Sequence, residues 1–310
     1  MAFGYQVLGF GSGGEAESAY IVACGGCQST DGDYYIHTFS GDGTFNVTGA
    51  GLCRAACVGD NKIDYLVIAG GGGSFTSISG GAGAGGYRYS YPTPVACAPQ
   101  ITATVQGYPI TVGDGGALGT TGYPGSATPG DDSVFATITS AGGGRGTTTG
   151  SDAAGSAGGS GGGWGHQSGV GGVGNCPPTT PSQGNSAGTS QPGVAGGSGG
   201  GGGAGGAGTP ATPGIYPSNS GPGGPGATNL IAPGYPHGTL LAGGGGGGAY
   251  IQGGGSGGPG GGGAGGFPYV NSGAPGTDGM GAGAGGGGMS GPAGGTGGNG
   301  VVFLRYRFQN

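Results

Sequence analysis

Apolar and polar positions alternate in short runs through the first 140 or so residues and again at the C-terminus, and a period of two predicts strands. Residues 34–39 (YYIHTF) and 44–48 (TFNVT) flank Ser40-Gly41-Asp42-Gly43, a turn signal that predicts a hairpin. Phe45 and Val47 alternate with Thr44, Asn46 and Thr48, as a half-buried strand requires. Residues 63–69 (IDYLVIA) are the most apolar run of the first half and lead straight into four glycines, which predicts a central strand. Tyrosines alternate with Arg88 and Ser90 over 87–91. Residues 101–105 (ITATV) alternate strictly, with 110–112 as the expected hairpin partner, and 134–139 follow a turn at Gly130-Asp131-Asp132. The closing run 301–308 (VVFLRYRF) puts Val302, Leu304, Tyr306 and Phe308 on one face and both arginines on the other. It follows a long stretch with little strand signal, so it is expected to return and pair with the N-terminal sheet.

Composition explains that long stretch. Glycine fills 98 of 310 positions and proline 21, which leaves no room for long helices or an aliphatic core of ordinary density. Disorder is opposed by 15 tyrosines, 9 phenylalanines and very few charges. Each ordered glycine costs about 0.5–1 kcal/mol relative to alanine, with no side chain to bury in return. Backbone hydrogen bonds, worth about 0.5–1.5 kcal/mol each, are the only compensation. An extended helix of three residues per turn points its N–H and C=O groups outward. Without Cβ atoms, such helices can approach closely and bond to one another on every face. Glycine occurs in clusters and not at every third position, so collagen is excluded.

The expected fold is mainly β plus polyglycine II helices: a small antiparallel β-module with a hydrogen-bonded polyglycine-helix bundle and essentially no α-helix. Four segments follow: an N-terminal docking segment (1–14), a β-rich module (15–140), the glycine-rich bundle with surface loops (141–299), and a C-terminal strand returning to the β-module (300–310). From residue 153 to 277 there is no Asp, Glu, Lys or Arg, as expected where a charge could not be solvated. Near-pure glycine segments (196–206, 243–248, 253–266, 281–288) alternate there with inserts such as 213–220 and 230–241.

Several function classes drop out. One lysine, Lys62, leaves no phosphate-binding GK[ST] loop. Six basic residues make no nucleic-acid footprint, and no apolar run is long enough to insert in a membrane. GxSxG around Ser160, Ser198 and Ser256 is chance in so glycine-rich a chain, with no elbow or His–Asp pair beside it. Asp31, Asp33, Asp42, Asp131 and Asp132 read as turn residues rather than calcium ligands. His37, His166 and His237 are scattered, and His37 reads as a sheet residue. No catalytic residue, metal or cofactor is expected, and the chain does not read as an enzyme. Residues 1–14 have neither a basic n-region nor a small-residue cleavage site, so no signal peptide is expected.

Several pieces in order resemble the glycine-rich domain of bacteriophage tail-fibre and adhesin proteins. They are Asp31-Gly32-Asp33-Tyr34 with His37-Thr38-Phe39 and Gly43-Thr44-Phe45, and Asp64-Tyr65-Leu66-Val67-Ile68-Ala69 running into glycines. Gly85-Gly86-Tyr87-Arg88, Ile110-Thr111-Val112-Gly113, Ser133-Val134-Phe135, and Gly300-Val301-Val302 with Arg305-Tyr306 follow. The motifs cover roughly 30–145 and 298–308; between them the likeness is compositional. The resemblance implies a virion fibre or adhesin, a polyglycine-helix sandwich whose distal loops touch a host receptor.

Six cysteines depart from that pattern: Cys24, Cys27, Cys53, Cys57, Cys97 and Cys176. A CxxC followed by CxxxC could ligate zinc. The even count and an extracellular setting favour disulfides, Cys24 and Cys27 with Cys53 and Cys57, and Cys97 with Cys176; free thiols are the third option. The receptor candidates are the loop aromatics and histidines: Trp164, His166, Tyr216, Tyr235, His237, Tyr250 and Tyr269, the last beside Phe267. Such residues either cap the lattice or offer rigid contact area among adaptable Ser, Gly and Asn. The expectation is a virion structural protein, in the virion or extracellular, displaying loops for host recognition. Its expected partners are a glycan or outer-membrane protein on the host and other virion proteins through the N-terminus; a homotrimer is compatible but not demanded. Capsid decoration, a filament subunit exchanging residues 301–308 between copies, and an ice-binding protein are the alternatives.

Overall fold

The computed structural model describes residues 18–52, 61–92, 98–119, 127–148, 154–165, 169–190, 196–212, 219–251, 253–290 and 293–308. Among them are thirteen strands and no helix. β1 (Ile21–Cys24), β4 (Gly43–Ala50), β8 (Gln106–Thr111), β9 (Ser133–Phe135) and β10 (Ile138–Ser140) form an antiparallel sheet in that order. A second sheet runs β2 (Cys27–Asp31), β3 (Tyr34–Phe39), β13 (Val301–Arg307), β5 (Lys62–Ile68), β6 (Tyr87–Tyr89), with β7 (Ile101–Thr102) also on β5. β11 (Ala227–Thr228) and β12 (Leu240–Leu241) make a short ribbon.

The two large sheets pack face to face. Phe45, Val47, Tyr108, Ile110 and Phe135 of the first meet Ile63, Tyr65, Val67, Val302, Leu304 and Tyr306 of the second. The opposite face of the second sheet is covered as well: Leu66, Ile68, Val301 and Phe303 pack on Ile231, Leu241, Met280 and Ala282 from the glycine-rich region. A sheet buried on both faces needs apolar residues at consecutive positions. β5 and β13 are written that way.

The turn signal at 40–43 does not make a hairpin. β3 and β4 lie in different sheets, so the chain crosses the sandwich there. Phe39 and Phe45 both point into the same core, and Asp42 Oδ1 accepts the Val112 N–H at 2.8 Å, fixing the corner. The expected partnership of 101–105 with 110–112 fails for the same reason, since β7 joins one sheet and β8 the other. A third crossing, between β1 and β2, uses Gly25 (φ 125°) and Gly26 (φ 61°), a left-handed pair that glycine adopts without strain. The run 134–139 is a hairpin of β9 and β10, not one strand.

Arg305 lies, as expected, on the face of 301–308 opposite Val302 and Leu304. It is 7 % exposed. Its guanidinium lies 3.9 Å over the Tyr34 ring and 4.4 Å over Tyr91, with Nη2 3.4 Å from Asp31 Oδ2. Aromatic faces and one carboxylate replace the water it has lost.

His37 is fully buried between the sheets. Its Nδ1 lies 2.6 Å from the Gly25 carbonyl oxygen and so carries the proton; Nε2 accepts from the Tyr306 hydroxyl at 3.0 Å. Burial lowers its pKa below the ordinary 6.5. Below pH 6.5 the unfolded chain therefore takes up a proton that the native state refuses, and stability falls with pH until the folded imidazole titrates. Asp64 acts in the opposite sense, because burial raises its carboxyl above 3.8. Urea unfolding from pH 7.5 to 5 is expected to show His37→Gln losing stability less steeply than wild type, by up to about 1.4 kcal/mol per pH unit. Parallel slopes would remove His37 as the source.

The glycine tracts carry neither helix nor strand, yet their main-chain groups are paired in a strict order. Over residues 80–86, Gly80, Gly83 and Gly86 donate to Thr147, Gly144 and Ala141. Gly81 and Ala84 donate to Gly199 and Gly202, and Ala82 and Gly85 donate to Ala284 and Gly281. Residues 243–249 repeat the pattern. Gly243, Gly246 and Ala249 donate to Gly260, Gly263 and Gly266; Gly244 and Gly247 to Gly224 and Gly221; Gly245 and Gly248 to Ala82 and Ser79. Every third N–H meets the same neighbour, so each of these two tracts donates to three neighbours, and its carbonyls accept from other tracts, as Gly83 does from Gly72, Gly81 from Gly163 and Ala82 from Gly245. The pairing crosses the compositional boundary at residue 141: Gly70 donates to Asp131, Gly71 to Gly298 and Gly73 to Thr128.

Candidate functional site

The tracts are continuous with the strands, and this sets which residues lie at which end. β5 runs into 69–75, β8 into 113–119, β10 into 141–148 and β12 into 242–250, while 80–86 and 293–300 lead back into β6 and β13. Far from the sandwich the tract ends meet. Phe75 bridges Gly119 and Ser79 bridges Thr148. Gly248 donates to Ser79, Ala249 to Gly266 and Met289 to Ala249.

At this distal end a tight turn projects. Phe267 bridges Asn271, and Tyr269 sits at φ 57° between them. The Tyr269 N–H donates to the Met289 carbonyl at 3.2 Å, holding the turn on the lattice. Three large apolar side chains are left in solvent: Phe267 is 44 % exposed, Tyr269 71 % and Val270 75 %. A cluster of that kind is a candidate contact surface.

A groove of about 620 Å³ lies at the sandwich end. Its floor is the outer face of β2 and β3, with Cys27, Ser29, Asp31, Ile36 and Thr38, and its wall is the loop 232–237. Asn229 shapes that loop: its side chain donates to the Ala232 carbonyl and accepts the Ala232 N–H. Tyr235 locks it in place, with its ring edge-on to Phe303 at 4.8 Å and its hydroxyl on the Gly279 carbonyl at 3.0 Å. Burial raises the Tyr235 pKa. His237 stays exposed on the rim, 5.1 Å from the Tyr235 ring.

The family model described as a glycine-rich domain matches residues 38–307. The chain belongs to the glycine-rich domain family. None of the curated proteins compared with it matches.

The seven receptor candidates of this glycine-rich domain do not form one patch. Tyr235 and His237 share the groove, and Tyr269 is at the distal turn. Tyr250 is half-buried at the same end as Tyr269. Trp164 offers no receptor surface, because it is 6 % exposed, with Gly169 against its indole ring. His166 and Tyr216 lie outside the described residues. The expected disulfides are not found: Cys24, Cys27 and Cys176 are free thiols and exposed, and Cys53, Cys57 and Cys97 lie outside the described residues. Cys24 and Cys27 stand on either side of the Gly25–Gly26 crossing, at the open rim of the sandwich.

Two contributors to these surfaces were missed in the sequence. Val270 continues the apolar turn and was legible as an exposed neighbour of Tyr269. Asp31 is 45 % exposed at the groove, and nothing in its local sequence links it to a loop two hundred residues away.

Proposed function

We propose that the glycine tracts are polyglycine II helices packed as a hydrogen-bonded bundle, and that the protein is a virion component, a tail-fibre or adhesin element holding recognition loops away from its β-module. The observation that carries the bundle is the period of three in the hydrogen bonds, with a different neighbour on each of three sides. That is the periodicity of a three-residue helix without internal bonds. At about 3.1 Å per residue, a seven-residue tract spans about 22 Å. The scaffold is stiff because tracts such as 69–75, 113–119 and 141–148 continue directly from strands and bond to neighbouring tracts along their length.

The exposed Phe267, Tyr269 and Val270 support a recognition role, since they leave a contiguous apolar surface in water. Within one chain β13 pairs with its own β3 and β5, so the filament alternative requires this strand to leave that slot in one copy and enter the same slot in another. Thr147 is buried and bonded to Gly163, which removes it from any flat ice-facing surface. Imaging of native particles carrying a label on this protein tests the role. Density at a tail tip is expected. A capsid lattice or a free filament would reassign the protein.

A further inference from the structure

β2 is the outermost strand of its sheet, and among the described residues no backbone group pairs with its free side. Edge strands of soluble proteins are usually blunted by lysine, proline or a bulge. β2 (CQSTD) has none of these; its five residues pair in unbroken register with β3, and four of them are exposed. The 620 Å³ groove opens beside that edge, on the face to which Cys27, Ser29 and Asp31 belong. Asp31 is the one carboxylate in its lining, with the His237 imidazole on the rim, and one carboxylate oxygen remains beyond the one facing Arg305.

We propose that β2 and this groove bind an extended polypeptide segment of a partner protein by strand addition. In that mode main-chain bonds to the free edge supply affinity, and a pocket for alternate side chains supplies specificity. The segment this surface fits has a large apolar side chain that enters beside Tyr235 and a Lys or Arg that reaches Asp31. The site lies at the end of the molecule opposite the exposed turn. It therefore concerns how the protein is carried, not what it recognises, and stands independently of the receptor reading.

The test pans a displayed library of random dodecapeptides against the full chain, then measures binding of the enriched peptides as synthetic probes. Gly234 has nothing within 4 Å of where a Cβ would stand, so Gly234→Trp fills the groove without disturbing the loop. The expected peptides carry a large apolar residue and a basic one, slow hydrogen exchange in β2, lose at least tenfold in affinity to Gly234→Trp, and lose severalfold to Asp31→Asn. Peptides that bind Gly234→Trp equally well, or that leave β2 exchange unchanged, would overturn the proposal. So would enrichment of nothing. Binding of lactose or N,N′-diacetylchitobiose that Gly234→Trp abolishes, with no peptide binding, would overturn it in favour of a saccharide.

Discussion

Gly245→Ala is expected to destabilise the folded state severely and to lower its urea midpoint steeply. Gly245 donates to Ala82 and accepts from Gly201, and its third side faces the Ala284 carbonyl. A Cβ there would lie well inside 3.0 Å of that carbonyl oxygen, a separation real Cβ atoms essentially never show. No flexible side chain can yield, because the obstacle is backbone. Relief requires parting two tracts and breaking hydrogen bonds along both. The loss is expected to exceed about 4 kcal/mol, the range reserved for severe structural damage, against a total stability of about 5–15 kcal/mol for a typical domain. Gly234→Ala, in open space on the groove loop, is expected to unfold like wild type. Urea denaturation followed by tyrosine fluorescence compares the two. Equal midpoints would mean the tracts are not tightly apposed.

Loss of the distal turn is expected to remove host adsorption and leave the fold intact. The variant combines Phe267→Ser, Tyr269→Asn and Val270→Ser; asparagine tolerates the positive φ of Tyr269. A buried aromatic anchor at an interface is worth about 2 kcal/mol or more, so adsorption should fall at least roughly thirtyfold. These side chains are mostly in solvent, and the melting temperature should stay near that of wild type. Unchanged adsorption by particles carrying the variant would take the receptor away from this turn.

What the sequence made legible follows from where each signal is written. β5 could be read as central because burial on two faces demands an uninterrupted apolar run such as Leu66-Val67-Ile68, and β13 could be read as returning to the N-terminal sheet because it is a strong strand after a long stretch without one. The corners could not be read. Ser40-Gly41-Asp42-Gly43 says that the chain reverses, but a reversal within one sheet and a crossing between two use the same residues. The choice is made by Phe39 and Phe45 facing one core, a tertiary fact. The burial of Arg305 had no local signal, because the partners that replace water around it, Tyr34, Tyr91 and Asp31, lie far away in the sequence. Trp164 could not be assigned from sequence between capping the lattice and offering contact area; its burial places it among the capping residues. The groove had no local signature, since its floor and wall are separated by about two hundred residues and meet only through the packing of Tyr235 on Phe303. Tract boundaries were blurred by composition, which marks 141–299 but undercounts 70–86 and 113–119, whose main-chain groups belong to the same hydrogen-bonded array.

Native-state hydrogen exchange at the glycine amides of 80–86 and 243–249 tests most directly whether inter-tract backbone bonds take the place of an apolar interior. Each amide there donates to a separate tract, so all are expected to exchange only through openings nearly as costly as global unfolding, at rates matching those of β5 and β13. Exchange of these glycines at the rate of unstructured peptide, while β5 and β13 remain protected, would contradict it.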